Sequence, residues 1–333
     1  MIGYIVRRLI SAFLVLTVTS MFVFALFYWG PRDPARAVCD QNGRCTPEKL
    51  ANLTHAMGLD KPIHTAYAEW AKGLVHDRTV NMGGNANYDC QAPCLGISWS
   101  TRAEVRKELT QKYPATLSLA IGGAVLYLIL GVFVGVLAAR WRGTFADRAL
   151  VSSTLIVSSI PYYLVALLAW ILLTQRWPIF PQTKYYPLLE NPLAWLGGLL
   201  LPWLVLGLTN ATAYSRFSRG QMVETLSEDY IRTATAKGQK ANLVIFKHAL
   251  RAAIIPVVTI FGLDFGTLLG GTVFTERIFD IDGIGRWGLR AVGTPTDIPV
   301  VTATVLVAAF FIILANLVVD LIYSLLDPRV RIT

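Results

Sequence analysis

The sequence predicts an all-α membrane protein of six transmembrane helices, with a large external segment after the first helix. Three observations predict it. The chain is 54% hydrophobic and 15% charged, where an ordinary soluble domain is roughly 25% charged. The apolar residues gather in six blocks, each reaching the ~20 residues that cross ~30 Å of hydrocarbon. Stretches 9–29, 114–139, 149–174 and 193–215 hold no Asp, Glu, Lys or Arg, while 252–275 holds only Asp264 and 298–326 only Asp320. The basic residues cluster between alternate blocks, as expected of loops on one side of a membrane. The blocks do not alternate apolar with polar residues, which excludes barrel strands.

Orientation follows from that charge bias. Net charge is +9. Arg7 and Arg8 precede the first block, and Arg140, Arg142 and Arg148 lie between the second and third. Arg329 and Arg331 follow the last. All fall on one side if both termini are cytoplasmic. Segment 31–113 is longer than the ~60 residues within which loop charge governs orientation. The positive charge therefore marks cytoplasmic loops and anionic lipid of the inner membrane, not a nucleic-acid partner. The chain divides into 1–30 with the first span, an external segment 31–113, and a core of five spans over 114–333. The first block is too long for the apolar region of a signal peptide, and Tyr28-Trp29-Gly30-Pro31 is no small-residue cleavage site. It reads as a retained helix.

The external segment holds all four cysteines, Cys39, Cys45, Cys90 and Cys94. Four cysteines allow three pairings. An oxidising exterior favours disulfides, with local pairing of Cys39 with Cys45 and Cys90 with Cys94 preferred over a zinc site or free thiols. Short helices are expected over 50–57 and 65–75. His55, His64 and His76 lack metal-ligand spacing, and no metal site is expected.

A short polar turn at 144–148 makes the second and third spans an antiparallel pair. Pro161 and Pro202 kink the third and fourth spans, either for packing or beside a water-lined path. Asp264 sits near the middle of the fifth. A charge there costs about 2.5–3.5 kcal/mol on insertion scales, so it faces a water-filled path or is hydrogen-bonded within the bundle. Gly262, Gly266, Gly270 and Gly271 give the same helix a face for close packing. Gly283, Gly285 and Gly288 formally match a dinucleotide fingerprint, but no strand precedes them and no acid follows at the right distance. Asp327-Pro328-Arg329 stops and anchors the last helix.

One hydrophilic stretch, 216–256, organises the C-terminal two-thirds. It carries Arg216, Arg219, Arg232, Lys237, Lys240, Lys247 and Arg251 against Glu224, Glu228 and Asp229. A helix is expected over 224–237, capped by Thr225 or Ser227, with Glu228 and Asp229 near its positive end. Gly238 supplies the left-handed residue that ends it, and a second run, 242–251, leads into the fifth span. Ala234 and Ala236 keep the first helix slim. That suits insertion into a partner's cleft better than lying on a membrane.

The run Glu228-Asp229-Tyr230-Ile231-Arg232-Thr233-Ala234-Thr235-Ala236-Lys237-Gly238, followed by Lys247-His248-Ala249-Leu250-Arg251, resembles the EAA-type cytoplasmic loop of ABC importer permeases. It is most similar to the version in the dipeptide/oligopeptide family. Tyr4-Ile5-Val6-Arg7-Arg8-Leu9, Asp33-Pro34-Ala35, Gly58–Ile63, Lys112–Leu117, Glu276–Gly285 and Leu325–Arg329 extend the resemblance across almost the whole chain. It implies the first permease of a pair, importing peptides. Partners would be a homologous second permease, two cytoplasmic ATPase subunits and an external substrate-binding protein or lipoprotein. Glu228, Asp229, Ala234, Ala236 and Gly238, with Arg232 and Lys237 in the same motif, would form the ATPase-coupling surface within loop 216–251. Three departures stand out. Arg251 occupies a position where related permeases commonly have proline. Asp264 replaces a frequent glutamine, which would favour cationic substrates. Stretch 79–94 looks like an insertion. Related permeases also carry oligosaccharides or nickel complexes, so another solute is the alternative.

No GxxxxGK[ST] motif is present, so ATP and its Mg belong to partner subunits and this chain binds no cofactor. No HExxH or GxSxG motif supports an intramembrane enzyme. A stand-alone secondary transporter would show paired Gly/Pro-broken segments in matching halves, and these are missing.

Overall fold

The computed structural model describes residues 2–28, 34–41, 45–82, 87–293 and 296–326. Trp29, Gly30, Pro31, Asp33, Asp327, Pro328, Arg329 and Arg331 lie outside the described residues, as do the side chains of Tyr4, Ile5 and Asp320. Among the described residues, five helices are long and apolar enough to cross a membrane: Val6–Leu26, Val105–Arg140, Pro192–Leu226, Ala241–Leu269 and Ile298–Val319. The remaining span is a broken pair, Phe145–Ser159 and Tyr162–Arg176, bent by 86°. Pro161 sits at that break with φ −57 and ψ 133. It is an extended hinge residue and does more than kink a continuous helix, because its ring removes an N–H and disfavours helical backbone before it.

The chain forms two compact units. The first comprises residues 1–116, 269–273 and 282–314. Its helices are α1 (Ile2–Tyr28), α2 (Pro34–Gln41), α3 (Pro47–Ala56) and α4 (Ile63–Gly73). α3 starts where the Thr46 hydroxyl accepts the Lys49 N–H, ahead of proline at the first helical turn. In and beside the stretch that resembles an insertion, β1 (Arg78–Asn81) pairs antiparallel with β2 (Asn87–Cys90), with Arg78 opposite Cys90. Cys39 is bonded to Cys45 and Cys90 to Cys94. Cys90 and Cys94 are buried with Met82 and Ile97. This small core, α3, α4 and the start of the last helix line an open cavity of about 830 Å³ that includes Trp70, Arg78 and Trp99. Buried Glu104 accepts the Gln91 N–H at 3.1 Å and pairs with Lys107 at 2.9 Å. Asp297 accepts hydrogen bonds from both the Ser98 and Ser100 hydroxyls at 2.6 and 2.8 Å.

The second unit comprises residues 117–268, 274–281 and 315–333. It holds most of α5 (Val105–Arg140), α6 (Phe145–Ser159), α7 (Tyr162–Trp170) with a π-helical continuation Ile171–Arg176, and α8 (Pro192–Leu226). α5 begins at Val105, well before residue 114, because its charged first turns extend the helix beyond the apolar block. The turn before α6 is likewise shifted: Thr144 is the cap and Phe145 is already helical. α8 contains Pro202 without interruption. Glycines let α5 and α8 approach closely: a Cβ on Gly122 would collide with the Trp203 ring, and one on Gly135 would meet Ser215 O and Ser218 Cβ, each at 2.6 Å.

Next come α9 (Asp229–Ala236), α10 (Ala241–Leu243), a π-helical turn Val244–Ala249, α11 (Leu250–Leu269), α12 (Val273–Ile278), α13 (Ile284–Ala291) and α14 (Ile298–Leu326). The fifth span stops at Leu269, so Gly270 and Gly271 do not belong to its packing face. Gly271 has φ +132 and meets the Gly285 backbone. That is a left-handed break that glycine tolerates where L side chains do not. The glycine-rich 283–288 stretch opens α13 and contributes close backbone packing, with Gly285 against Val273.

Candidate functional site

The loop after the fourth span is rooted in an apolar core. α8 runs on to Leu226 and Ser227 ends it, its hydroxyl donating to the Glu224 carbonyl at 2.6 Å. The expected helix start at Thr225 or Ser227 is therefore corrected: both belong to the end of α8. Glu228 takes extended backbone and precedes α9, and its side chain makes no capping hydrogen bond. The only buried residue of α9 is Ile231, 4% exposed. It packs with Met222 of α8, Val136 and Ala139 of α5, Val244, Ile245 and Ala249 of the π-helical turn, and Ala253 of α11. Ala234, three residues on and so on the same helical face, rests against this core.

The opposite face is open. Asp229, Tyr230, Arg232, Thr233, Ala236 and Lys237 are exposed. Asp229 and Arg232 pair loosely at 3.6 Å, a surface contact of little energetic weight. Gly238 has φ +75, and a Cβ there would meet no atom within 4 Å. Glycine is required by the backbone, not by space: the Gly238 N–H bonds Thr235 O at 2.9 Å and the Gln239 N–H bonds Ala234 O at 3.4 Å, which closes the helix. A His248 ring nitrogen meets Gln239 Oε1 at 2.8 Å. The turn after α9 is thereby tied to the π-helical turn.

Sequence reasoning missed the pair that holds this end of the unit together. Asp147, 4% exposed, accepts Arg219 Nε and Nη2 at 2.7 Å each and the Gly143 N–H at 3.0 Å. The fork is bidentate, the geometry in which Arg–carboxylate bonds are strongest. It locks the α5–α6 turn to α8. Only the two residue types were visible in the sequence; their separation of 72 positions hides the contact.

Deeper in the unit, the Tyr214 hydroxyl donates to Asp264 Oδ2 at 2.7 Å. Asp264 is itself exposed. Around it lie Tyr127, Tyr214, Phe261 and Phe265, with the Tyr127 and Tyr214 rings 4.8 Å apart and the two phenylalanine rings stacked at 5.7 Å. Gly262 faces the other way, against Val319. Among the described residues no group of His, Cys, Asp or Glu is arranged to hold a metal.

Residues 131–332 match the family described as binding-protein-dependent transport system inner membrane component, and residues 1–120 match the N-terminal part of that membrane component. The chain belongs to this family. The permease has full-length relatives. It is 33% identical over 330 residues to the probable peptide ABC transporter permease protein y4tP of Sinorhizobium fredii, covering 98% of this chain and 99% of that one. It is 35% identical over 357 aligned positions to the dipeptide transport system permease protein DppB of Escherichia coli K12, covering 99% of both. An inward-facing structure of the MetNI methionine ABC transporter superposes with a TM-score of 0.53 at 19% identity, over 67% of the permease and 97% of that chain. This last likeness carries the fold alone. The permease is thus a multi-pass inner-membrane transport component and not an enzyme.

Proposed function

We propose that this permease forms half of the membrane path of an ATP-driven peptide importer and receives its driving force through α9. The carrying observation is the two-sidedness of α9. Ile231 and Ala234 fix one face in a core shared by α5, α8 and α11, while Asp229, Tyr230, Arg232, Ala236 and Lys237 leave the other open to a partner. A helix held this way transmits displacement to several spans at once. The peptide substrate is supported by the likeness to y4tP, a probable peptide permease, and to DppB, a dipeptide permease.

On this reading α9 docks in a cytoplasmic ATPase subunit that binds ATP and Mg, a second homologous permease completes the path past Asp264, and an external binding protein delivers peptide. Both termini are cytoplasmic, which places the two disulfides in the oxidising exterior. The test is uptake of labelled dipeptide into proteoliposomes holding the permease with its partner permease, ATPases and binding protein. Uptake that needs ATP and all the subunits is expected. Uptake by this chain without an ATPase overturns the proposal.

A further inference from the structure

We propose that Asp264, aligned by Tyr214 and walled by Tyr127, Phe261 and Phe265, is a station in the translocation path for the ammonium group of a passing peptide. This rests on the peptide-import reading. Three observations lead to it. Asp264 lies in an apolar block without Lys or Arg between 252 and 275, and no basic side chain pairs with it among the described residues. A carboxylate at membrane depth needs a counter-charge or water. Next, the Tyr214 hydroxyl takes one of the carboxylate's lone-pair directions, at 2.7 Å on Oδ2. That fixes the group's orientation and leaves acceptor capacity for further donors.

The third observation is the company it keeps. Four aromatic rings sit on this side of α11 and on the facing helices, linked by centroid distances of 4.8 Å (Tyr127–Tyr214), 5.7 Å (Tyr127–Phe261) and 5.7 Å (Phe261–Phe265). Tyr127 and Tyr214 are buried and back the site, while Phe261 and Phe265 are half-buried and offer the ring faces that attract ammonium ions; a carboxylate beside them adds a charge-assisted hydrogen bond. Asp264 is exposed. Two residues from Gly262, which packs on Val319, it points about 200° around the helix from that contact. The chemistry is generic in a useful way. Each peptide with a free amino terminus carries one ammonium whatever its sequence, so a single carboxylate serves many side chains. A lysine side chain offers the same group.

The test uses the complete transporter in proteoliposomes, comparing wild type with Asp264→Asn, Asp264→Glu and Tyr214→Phe. The probes are Ala-Ala, Lys-Ala and N-acetyl-Ala-Ala, each referred to its own wild-type rate. Asp264→Asn should lower the maximal uptake rate of Ala-Ala about tenfold, the scale of one lost charge-assisted hydrogen bond. Half-saturation should stay unchanged, N-acetyl-Ala-Ala should be unaffected, and Asp264→Glu should restore part of the rate. Equal loss for Ala-Ala and Lys-Ala assigns the site to the amino terminus; loss confined to Lys-Ala assigns it to the side chain. Either supports an ammonium station. Equal loss for all three probes, or no loss, overturns it. Absence of peptide uptake by wild type sinks the peptide reading, and this inference with it. An active wild type with charge-blind variants sinks this inference alone.

Discussion

Gly238 and Ile231 do different jobs within eight residues. Gly238 holds φ +75 in open space, so a side chain there costs roughly 1–2 kcal/mol of left-handed strain and no clash. Gly238→Val should leave membrane yield near wild type while abolishing ATP-driven uptake, because the turn that ends α9 is redirected. Normal uptake would disprove the role assigned to this turn. The Asp147–Arg219 fork behaves otherwise. Both partners are substantially covered, at 5% and 29% side-chain exposure, so Asp147→Ala leaves a cation without its counter-charge and should cost about 3–5 kcal/mol. A double-mutant cycle with Arg219→Met, read by thermal unfolding in detergent, should recover much of that loss. Simple additivity would show that the fork is energetically idle.

At the scale of elements, α9 stays docked by one deep side chain. Ile231→Ala removes it from a core that also holds Met222, Val244 and Ala253, at about 2–5 kcal/mol. Hydrogen exchange of α9 should rise strongly while the spans keep their protection; unchanged exchange in α9 would mean that other contacts hold the helix. Glu104 gives the segment before α5 an acid limit. Burial pushes its pKa up, but the Lys107 hydrogen bond, the Gln91 N–H and the charges of Lys107 and Arg106 hold it below the usual 4.5. A carboxylate with a depressed folded pKa adds stability that is present above its unfolded pKa and is lost as pH falls through the folded one. Acidification below about pH 4.5 should therefore loosen the 87–107 region first, and Glu104→Gln should remove that pH dependence. Persistence of the pH step in the variant would assign it elsewhere.

For the whole molecule, hydropathy made the spans legible because lipid imposes one rule on every residue of a 30 Å stretch. Boundaries were less legible. Helices continue beyond the hydrocarbon where charge no longer matters, as α5 does from Val105 and α8 does to Leu226, and a cap residue such as Ser227 can end one helix as readily as start another. The turn at Gly238 could be read from local chemistry. The Asp147–Arg219 and Tyr214–Asp264 contacts could not, since nothing local distinguishes their members from other polar residues. Orientation is open to a direct check. A single cysteine replacing Arg142, exposed in the turn before α6, should react with a membrane-impermeant maleimide only in inverted vesicles; labelling in intact cells would reverse the proposed topology.

The unbroken run of α8 has a mechanical consequence. At 1.5 Å per residue its 35 residues measure roughly 52 Å, against ~30 Å of hydrocarbon. Met222 near one end touches Ile231 of α9, and Tyr214, two turns back along the same rod, grips Asp264. A stiff beam has no joint in which to dissipate a push. Torque applied at the end that meets α9 therefore reaches the hydroxyl of Tyr214 as rotation, and a glycine pair inserted between residues 215 and 221 would act as a clutch.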